Sequence, residues 1–120
     1  MDVVHRVSFV EARVIAIDEA QFFMDLLDFV MVCERRHKHV IIAGLDGDYR
    51  RKPFGQVLLC VPLCDTVDKL TALELLADGT IRPAIFTYRR DDSNESVIDV
   101  GGENKYIAVS RESYLKLCAE

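Results

Sequence analysis

At 120 residues, half of them apolar, the chain is long enough for one compact domain around a single core, and one domain rather than two is expected. Its 15 basic and 20 acidic residues leave a formal net charge of −5, which excludes a global positive field of the kind that holds nucleic acid. The short basic spots at Arg35-Arg36, Arg50-Arg51-Lys52 and Arg89-Arg90 read as solvated turns or helix faces.

In chain order, Arg13 to Asp18 (RVIAID) is a run of β-branched and small apolar residues that ends on two adjacent carboxylates, Asp18 and Glu19, and predicts a buried strand with an acidic tip. From Gln21 to His37 the apolar residues recur at helical spacing and predict a helix. Val40 to Leu45 (VIIAGL) predicts a second, parallel strand whose mouth carries Asp46-Gly47-Asp48. Two strands and their helix make a βαβ unit, whose ligands sit beyond the carboxyl ends of the strands, so both acidic tips are expected to face one crevice.

Pro53 to Leu63 predicts a short helix with Pro53 as its first residue, and Val67 to Leu73 a third strand. Ala77 to Thr80 is turn-like, Ile85 to Tyr88 strand-like, Arg89 to Ser96 a polar loop, and Val97 to Val100 alternates in polarity. Gly101-Gly102 breaks the chain, and Ser110 to Leu117 predicts a closing helix capped by Ser110. The fold class is α/β, with one core and a small loop-rich appendage.

The four cysteines, Cys33, Cys60, Cys64 and Cys118, include no CxxC pair and read as buried apolar filler in a reducing compartment, neither a disulfide framework nor a zinc site. No signal peptide is evident, and the longest apolar run, Val57 to Cys64, contains Pro62 and is far too short for a bilayer. The expectation is a soluble intracellular protein, cytoplasmic, with no membrane and no direct nucleic-acid partner.

An apolar strand ending in Asp18-Glu19 is the Walker B arrangement, in which the first acid stands near a magnesium ion and the second reaches a reacting hydroxyl or water. Acids also cap strands for purely structural reasons. The continuation narrows the choice. VIAIDEAQFF (Val14 to Phe23), AGLDGDYRRKPF (Ala43 to Phe54), KLTA (Lys69 to Ala72) and VIDVGGENKYIAV (Val97 to Val109) resemble, in order and spacing, four blocks of the cytosolic P-loop type of thymidine kinase. Ala20 stands where glycine is usual, Tyr49 where phenylalanine is usual, and Asp99 where the family has an apolar residue.

The resemblance implies a partial P-loop NTPase (RecA-like) parallel sheet with helices over residues 1–74, carrying Walker B, and a small lasso or nucleoside-binding subdomain over residues 75–120. It implies the reaction of ATP with thymidine to give ADP and thymidine monophosphate, with ATP and Mg²⁺ as cofactors. Glu19 matches the general base that takes the proton of the nucleoside 5′-hydroxyl, and Asp18 the acid that positions Mg²⁺ through water. Phe22, Leu45, Tyr49 and Phe54 match the lining of the nucleoside pocket, where flat apolar groups sandwich a pyrimidine. Without the resemblance the same residues read as core. Thr87 and Tyr106 match further nucleoside contacts. Val97 to Gly102 match the lasso, whose main chain reads the edge of the base; Gly101-Gly102 would permit left-handed angles there, or make an ordinary turn.

Two departures bound the inference. The family's zinc site uses two cysteine pairs; here Leu73 to Ala77 (LELLA) occupies the place of the first, and Ser110 and Ser113 that of the second. Serine is a poor zinc ligand because its hydroxyl stays protonated. No zinc is expected, and apolar contacts among Leu75, Leu76, Ile81, Ile85, Phe86 and Tyr114 are expected to hold the subdomain. No stretch reads GxxxxGK[ST], so the 120 residues supply no phosphate loop. Two readings stay open: a piece of an active thymidine kinase, inactive alone, or a catalytically inactive subunit serving as structural or regulatory partner. A metal-dependent hydrolase on the acidic tips is a third. Either leading reading expects self-association or a partner protein, because apolar sheet surface left uncovered must be covered.

Overall fold

The computed structural model describes residues 2–90 and 105–119. Val97, Gly101 and the alternating stretch around them lie outside the described residues. The molecule is α/β with short parallel and antiparallel sheets, and divides into two compact units. One comprises Met1–Asp46 and Pro53–Val67; the other comprises Gly47–Lys52 and Asp68–Glu120.

The first unit is a βαβ arrangement. Strand β1 (Val14–Ile17) pairs in parallel with β2 (His39–Ile42), Val14 opposite His39 and Ile17 opposite Ile42. Helix α2 (Leu26–Arg35) lies between them in sequence, and a short helix α1 (Val7–Glu11) precedes β1. Leu26, Val30 and Cys33 recur on one face of α2 and are buried. They contribute to two clusters. Ala20, Leu26, Val30 and Cys60 pack with Ile17, Val40 and Ile42, while Val4, Phe9 and Cys33 pack with Ile15, Phe29 and Val40. The alternation along both strands puts Ile15, Ile17, Val40 and Ile42 inward. It leaves Val14 and Ile41 on the opposite face, 54% and 52% exposed.

The expected helix over Gln21 to His37 is broken. A 3₁₀ turn covers Ala20–Phe22, and the α-helix starts only at Leu26. A first-turn amide is satisfied from a distance: Gln56 Oε1 accepts the Leu27 N–H at 2.8 Å while Gln56 Nε2 donates to the Met24 carbonyl at 2.6 Å. The helix ends in a Schellman closure with histidine in the usual glycine position. His37 has φ 58°, its N–H reaches the Glu34 carbonyl, and the Lys38 N–H reaches that of Cys33. Lys38 Nζ then donates to the Phe9 and Ala12 carbonyls at 2.7 and 2.6 Å, tying the residues around α1 to the start of β2.

The expected helix over Pro53 to Leu63 shrinks to a 3₁₀ segment, Leu58–Leu63. Pro53 does not start it, because Gly55 adopts φ +63°, which no right-handed helix contains.

In the second unit the expected strand over Val67 to Leu73 is displaced. Strand β3 (Ala72–Leu75) pairs antiparallel with β4 (Ile81–Ala84), and residues 76–80 make the hairpin loop. Asp78 accepts the Thr80 N–H at 2.9 Å, and Gly79 takes φ +91°. Strand β5 (Phe86–Arg89) falls one residue from its expected place and pairs antiparallel with β6 (Tyr106–Val109), a strand the sequence pattern does not announce. Helix α3 (Arg111–Ala119) closes the unit, and Ser110 Oγ accepts the Ser113 N–H at 3.2 Å, the expected cap.

The expected apolar contacts are only partly made. Leu75 and Ile81 face each other across the hairpin yet stay 73% and 60% exposed, whereas Ala84, Val109 and Tyr114 are buried. Cys33 and Cys60 are buried and burial pushes both thiols up, but Cys64 and Cys118 are exposed, so the filler role fits two of the four. Among the described residues, no helix is long and apolar enough to cross a membrane.

Candidate functional site

Candidate residues occur in both units, and each group is built differently. In the first, β1 delivers Asp18 and Glu19 at its carboxyl end, where the chain must turn sharply. Glu19 turns it with φ 51°, ψ 44°, a left-handed conformation that costs a non-glycine residue about 1–2 kcal/mol. Asp18 Oδ1 accepts the Glu19 N–H at 2.9 Å and steadies that turn. The Ala20 N–H donates to the Ala43 carbonyl at 3.0 Å, and the Ala43 N–H to the Ile17 carbonyl at 2.9 Å, which lock the ends of β1 and β2 together.

Gln21, absent from the sequence-derived site, is the residue that joins these parts. It is 4% exposed. Its Nε2 donates to Glu19 Oε2 at 2.8 Å, and its Oε1 accepts the Leu45 N–H at 3.0 Å. Two glycines make room for it. A Cβ on Gly44 would lie 3.0 Å from Gln21 Oε1, and one on Gly55 would lie 2.3 Å from the Gln21 carbonyl oxygen. The signal for Gln21 in the sequence is an uncharged amide set between a carboxylate pair and an aromatic pair.

Phe22 and Phe54 meet edge to face, ring centroids 5.6 Å apart at 86°, and the Phe54 N–H donates to the Asp46 carbonyl at 3.1 Å. Phe22 remains 65% exposed and Leu45 46% exposed, so these side chains are not buried core in this structure. The unit therefore brings Glu19, Gln21 and Leu45 into one hydrogen-bonded chain, with Phe22 and Phe54 as a neighbouring aromatic pair.

In the second unit, Asp48 organises the loop 47–52. Its Oδ1 accepts the Arg50 and Lys52 N–H groups at 2.9 and 3.0 Å, and its own N–H donates to the Lys52 carbonyl. The β5–β6 register sets Thr87 opposite Ala108 and Arg89 opposite Tyr106. Thr87, Arg89 and Tyr106 thus share one face of the pair. Tyr49 joins that group, with its ring centroid 6.1 Å from that of Tyr106 and the Arg89 guanidinium 5.4 Å from its own. The Arg89 side chain beside it lowers the Tyr49 phenol from its ordinary value.

The other face carries Phe86 and Tyr88 against Tyr114, at 5.3 and 6.3 Å between centroids. Arg51 lies over Phe86 and Tyr114, and Tyr114 Oη donates to the Tyr49 carbonyl at 2.8 Å. Where cysteines are missing, polar ties hold β3, β4 and α3. Glu74 Oε1 accepts the Ser110 N–H at 3.0 Å, and Arg82 pairs with Glu112. The Ser110 hydrogen bond holds the Glu74 carboxyl below the usual range. Among the described residues, no cluster of three or more histidine, cysteine or acidic side chains is arranged to hold a metal ion.

A family model described as thymidine kinase matches residues 1–114. The chain is 48% identical over 103 residues to a thymidine kinase of Oryza sativa subsp. japonica, covering 85% of this chain and 36% of that protein. It is 43% identical over 103 residues to the cytosolic thymidine kinase of Homo sapiens, covering 86% of this chain and 42% of that one. It is 38% identical over 108 residues to the thymidine kinase of Vaccinia virus (strain Western Reserve), covering 90% of this chain and 59% of that one. The chain therefore spans between about a third and three-fifths of the curated relatives it matches.

Proposed function

We propose, from the premise that this chain belongs to the thymidine kinase family, that it forms the Walker B and nucleoside-binding part of an enzyme transferring the γ-phosphate of ATP to thymidine. The observation that carries this reading is the Glu19 carboxylate at the end of β1, held by the buried Gln21 amide in the unit that also contains the Phe22–Phe54 pair. Phosphoryl transfer needs an aligned acceptor hydroxyl more than a strong base, and an oriented carboxylate supplies that alignment. Glu19 accepts the proton of the thymidine 5′-hydroxyl as its oxygen attacks phosphorus.

Phe22, Leu45 and Phe54 of the first unit, and Tyr49, Thr87 and Tyr106 of the second, are the nucleoside contacts. Val97 and Gly101 add main-chain readout of the base. Residues 1–74 act as the kinase core, part of a P-loop NTPase sheet, and residues 75–120 as the lasso subdomain. Asp18 fits the magnesium role: it is exposed, and one oxygen is engaged by the Glu19 N–H. The ion, when bound, neutralises charge on the β- and γ-phosphates. The Glu74 tie to Ser110 supports a subdomain that stands without zinc.

The 120 residues contain no GxxxxGK[ST], which supports a phosphate-holding loop contributed from outside them and no turnover by the polypeptide alone. The uncovered face of β1 and β2, with Val14 and Ile41 at its surface, supports a homo-oligomer or partner protein as its cover. Serines in place of the zinc cysteines favour a second reading, an inactive subunit with a structural or regulatory role. The setting proposed for either is the cytoplasm.

The test is calorimetry with thymidine alongside an ATP-dependent phosphorylation assay. Saturable thymidine binding without turnover is expected. Turnover that vanishes in Glu19→Gln would overturn the requirement for an outside phosphate loop. Absence of thymidine binding by a folded sample would sink the nucleoside pocket and leave the structural subunit.

A further inference from the structure

We infer that Gln21 is the positioning residue of this site: its side-chain amide fixes the Glu19 carboxylate for the acceptor hydroxyl and couples that carboxylate to the end of β2. The inference rests on Glu19 being the residue that meets the 5′-hydroxyl.

Donor and acceptor chemistry fixes the amide without ambiguity. The Leu45 N–H can only donate, so the atom facing it at 3.0 Å is the carbonyl oxygen, Oε1. The NH₂ group is thereby turned toward Glu19 Oε2, at 2.8 Å, and an ionised carboxylate can only accept. Flipping the amide would break both contacts at once. Rotation of the whole side chain is opposed by burial, by the close approach of Gly44 to Oε1 and by the backbone packing of Gly55 against Gln21. Glu19 itself is exposed and sits on a left-handed turn, so its own surroundings do little to select a rotamer. The Gln21 contact does. It engages one carboxylate oxygen and leaves the other for the incoming hydroxyl.

Leu45 takes part through its main chain. A shift of the backbone at the end of β2 moves Gln21, and through it the Glu19 carboxylate.

The experiment compares the whole chain with Gln21→Met, which keeps length and packing but loses both polar contacts, and Gln21→Glu, which keeps the acceptor for Leu45 and turns the donor into a second carboxylate. Thymidine and 5′-deoxythymidine are titrated into each by calorimetry. The native chain is expected to prefer thymidine by about tenfold, the size of one hydrogen bond to a charged group. Both variants are expected to lose that preference, read as the ratio of the two affinities within each variant. Side-chain NMR couplings of Glu19 are read in parallel without ligand. A single rotamer in the native chain and rotamer averaging in Gln21→Met are expected. Retained preference, or an unchanged Glu19 rotamer in a folded Gln21→Met sample, overturns the inference. If neither nucleoside binds the native chain, the nucleoside reading falls, and the Glu19 couplings still decide whether Gln21 orients the carboxylate.

Discussion

The two units hold their candidate residues by opposite means. In the first, Glu19 is exposed but is gripped by a buried amide, and among the described residues the unit buries seven apolar residues in two clusters, Ala20, Leu26, Val30 and Cys60 in one and Val4, Phe9 and Cys33 in the other. In the second the buried apolar set among the described residues is only Ala84, Val109 and Tyr114. Tyr49, Thr87 and Tyr106 are placed there by strand register, by guanidinium groups over aromatic rings and by carboxylate-to-backbone hydrogen bonds. The first unit rests its site on packed volume, with one amide-to-carboxylate hydrogen bond placing the side chain itself. The small antiparallel unit has less packed volume and relies more on charge, which salt and pH alter.

The contrast can be broken at three points of decreasing effect. Gly55→Ala should be most damaging, because a Cβ there would lie 2.3 Å from the Gln21 carbonyl oxygen and φ +63° is strained for alanine. A loss of about 3 kcal/mol is expected from chemical denaturation, with amide protection falling at β1 and β2. A loss below about 1 kcal/mol would mean that the loop around Gly55 relaxes freely.

Arg51→Met comes next, since it removes the charge over both Phe86 and Tyr114 while keeping an apolar stem. Two such contacts are worth about 1–2 kcal/mol together, and part of that loss should already appear in the native protein at high salt. Salt-independent stability in the native protein would remove the charge-based account of the second unit.

Glu74→Gln should be mildest, roughly 2–4 °C in Tm at pH 7. Its carboxyl titrates lower when folded, held first by the Ser110 side chain and then by the Ser110 N–H, so its stabilising contribution is complete above the unfolded glutamate value of about 4.3. That contribution disappears as pH falls through the folded value. The native and Glu74→Gln melting temperatures should therefore differ at pH 7 and converge toward pH 3. A constant gap at every pH would show that the carboxylate charge is not what matters.

What could be read from the sequence follows the range over which each signal acts. Val14 to Asp18 and Val40 to Ile42 carry their strand identity in their own composition, and the register between them reproduces the expected βαβ pair. Ser110 announces a cap that needs only three following residues, and it forms. The helix interruption at residues 23–25 did not show, because its cause, Gln56, lies 29 residues from Leu27. Strand β6 was hidden for a similar reason. Tyr106–Val109 is a strand because Phe86–Arg89 runs opposite it, whereas β4 is disguised locally by Pro83, which has no N–H to donate to a ladder.

At the site, the sequence by itself determined which groups are available: an acid pair at a strand end and aromatic residues at fixed offsets. Tertiary structure alone decided what holds them. The Gln21 amide accepts from Leu45, 24 positions away, while it holds the β1 tip, and Tyr114 reaches the Tyr49 carbonyl across 65 positions. Local propensity can place a carboxylate at the end of a strand. Only close packing of distant segments, with glycines where a Cβ would collide, can fix the direction in which that carboxylate points.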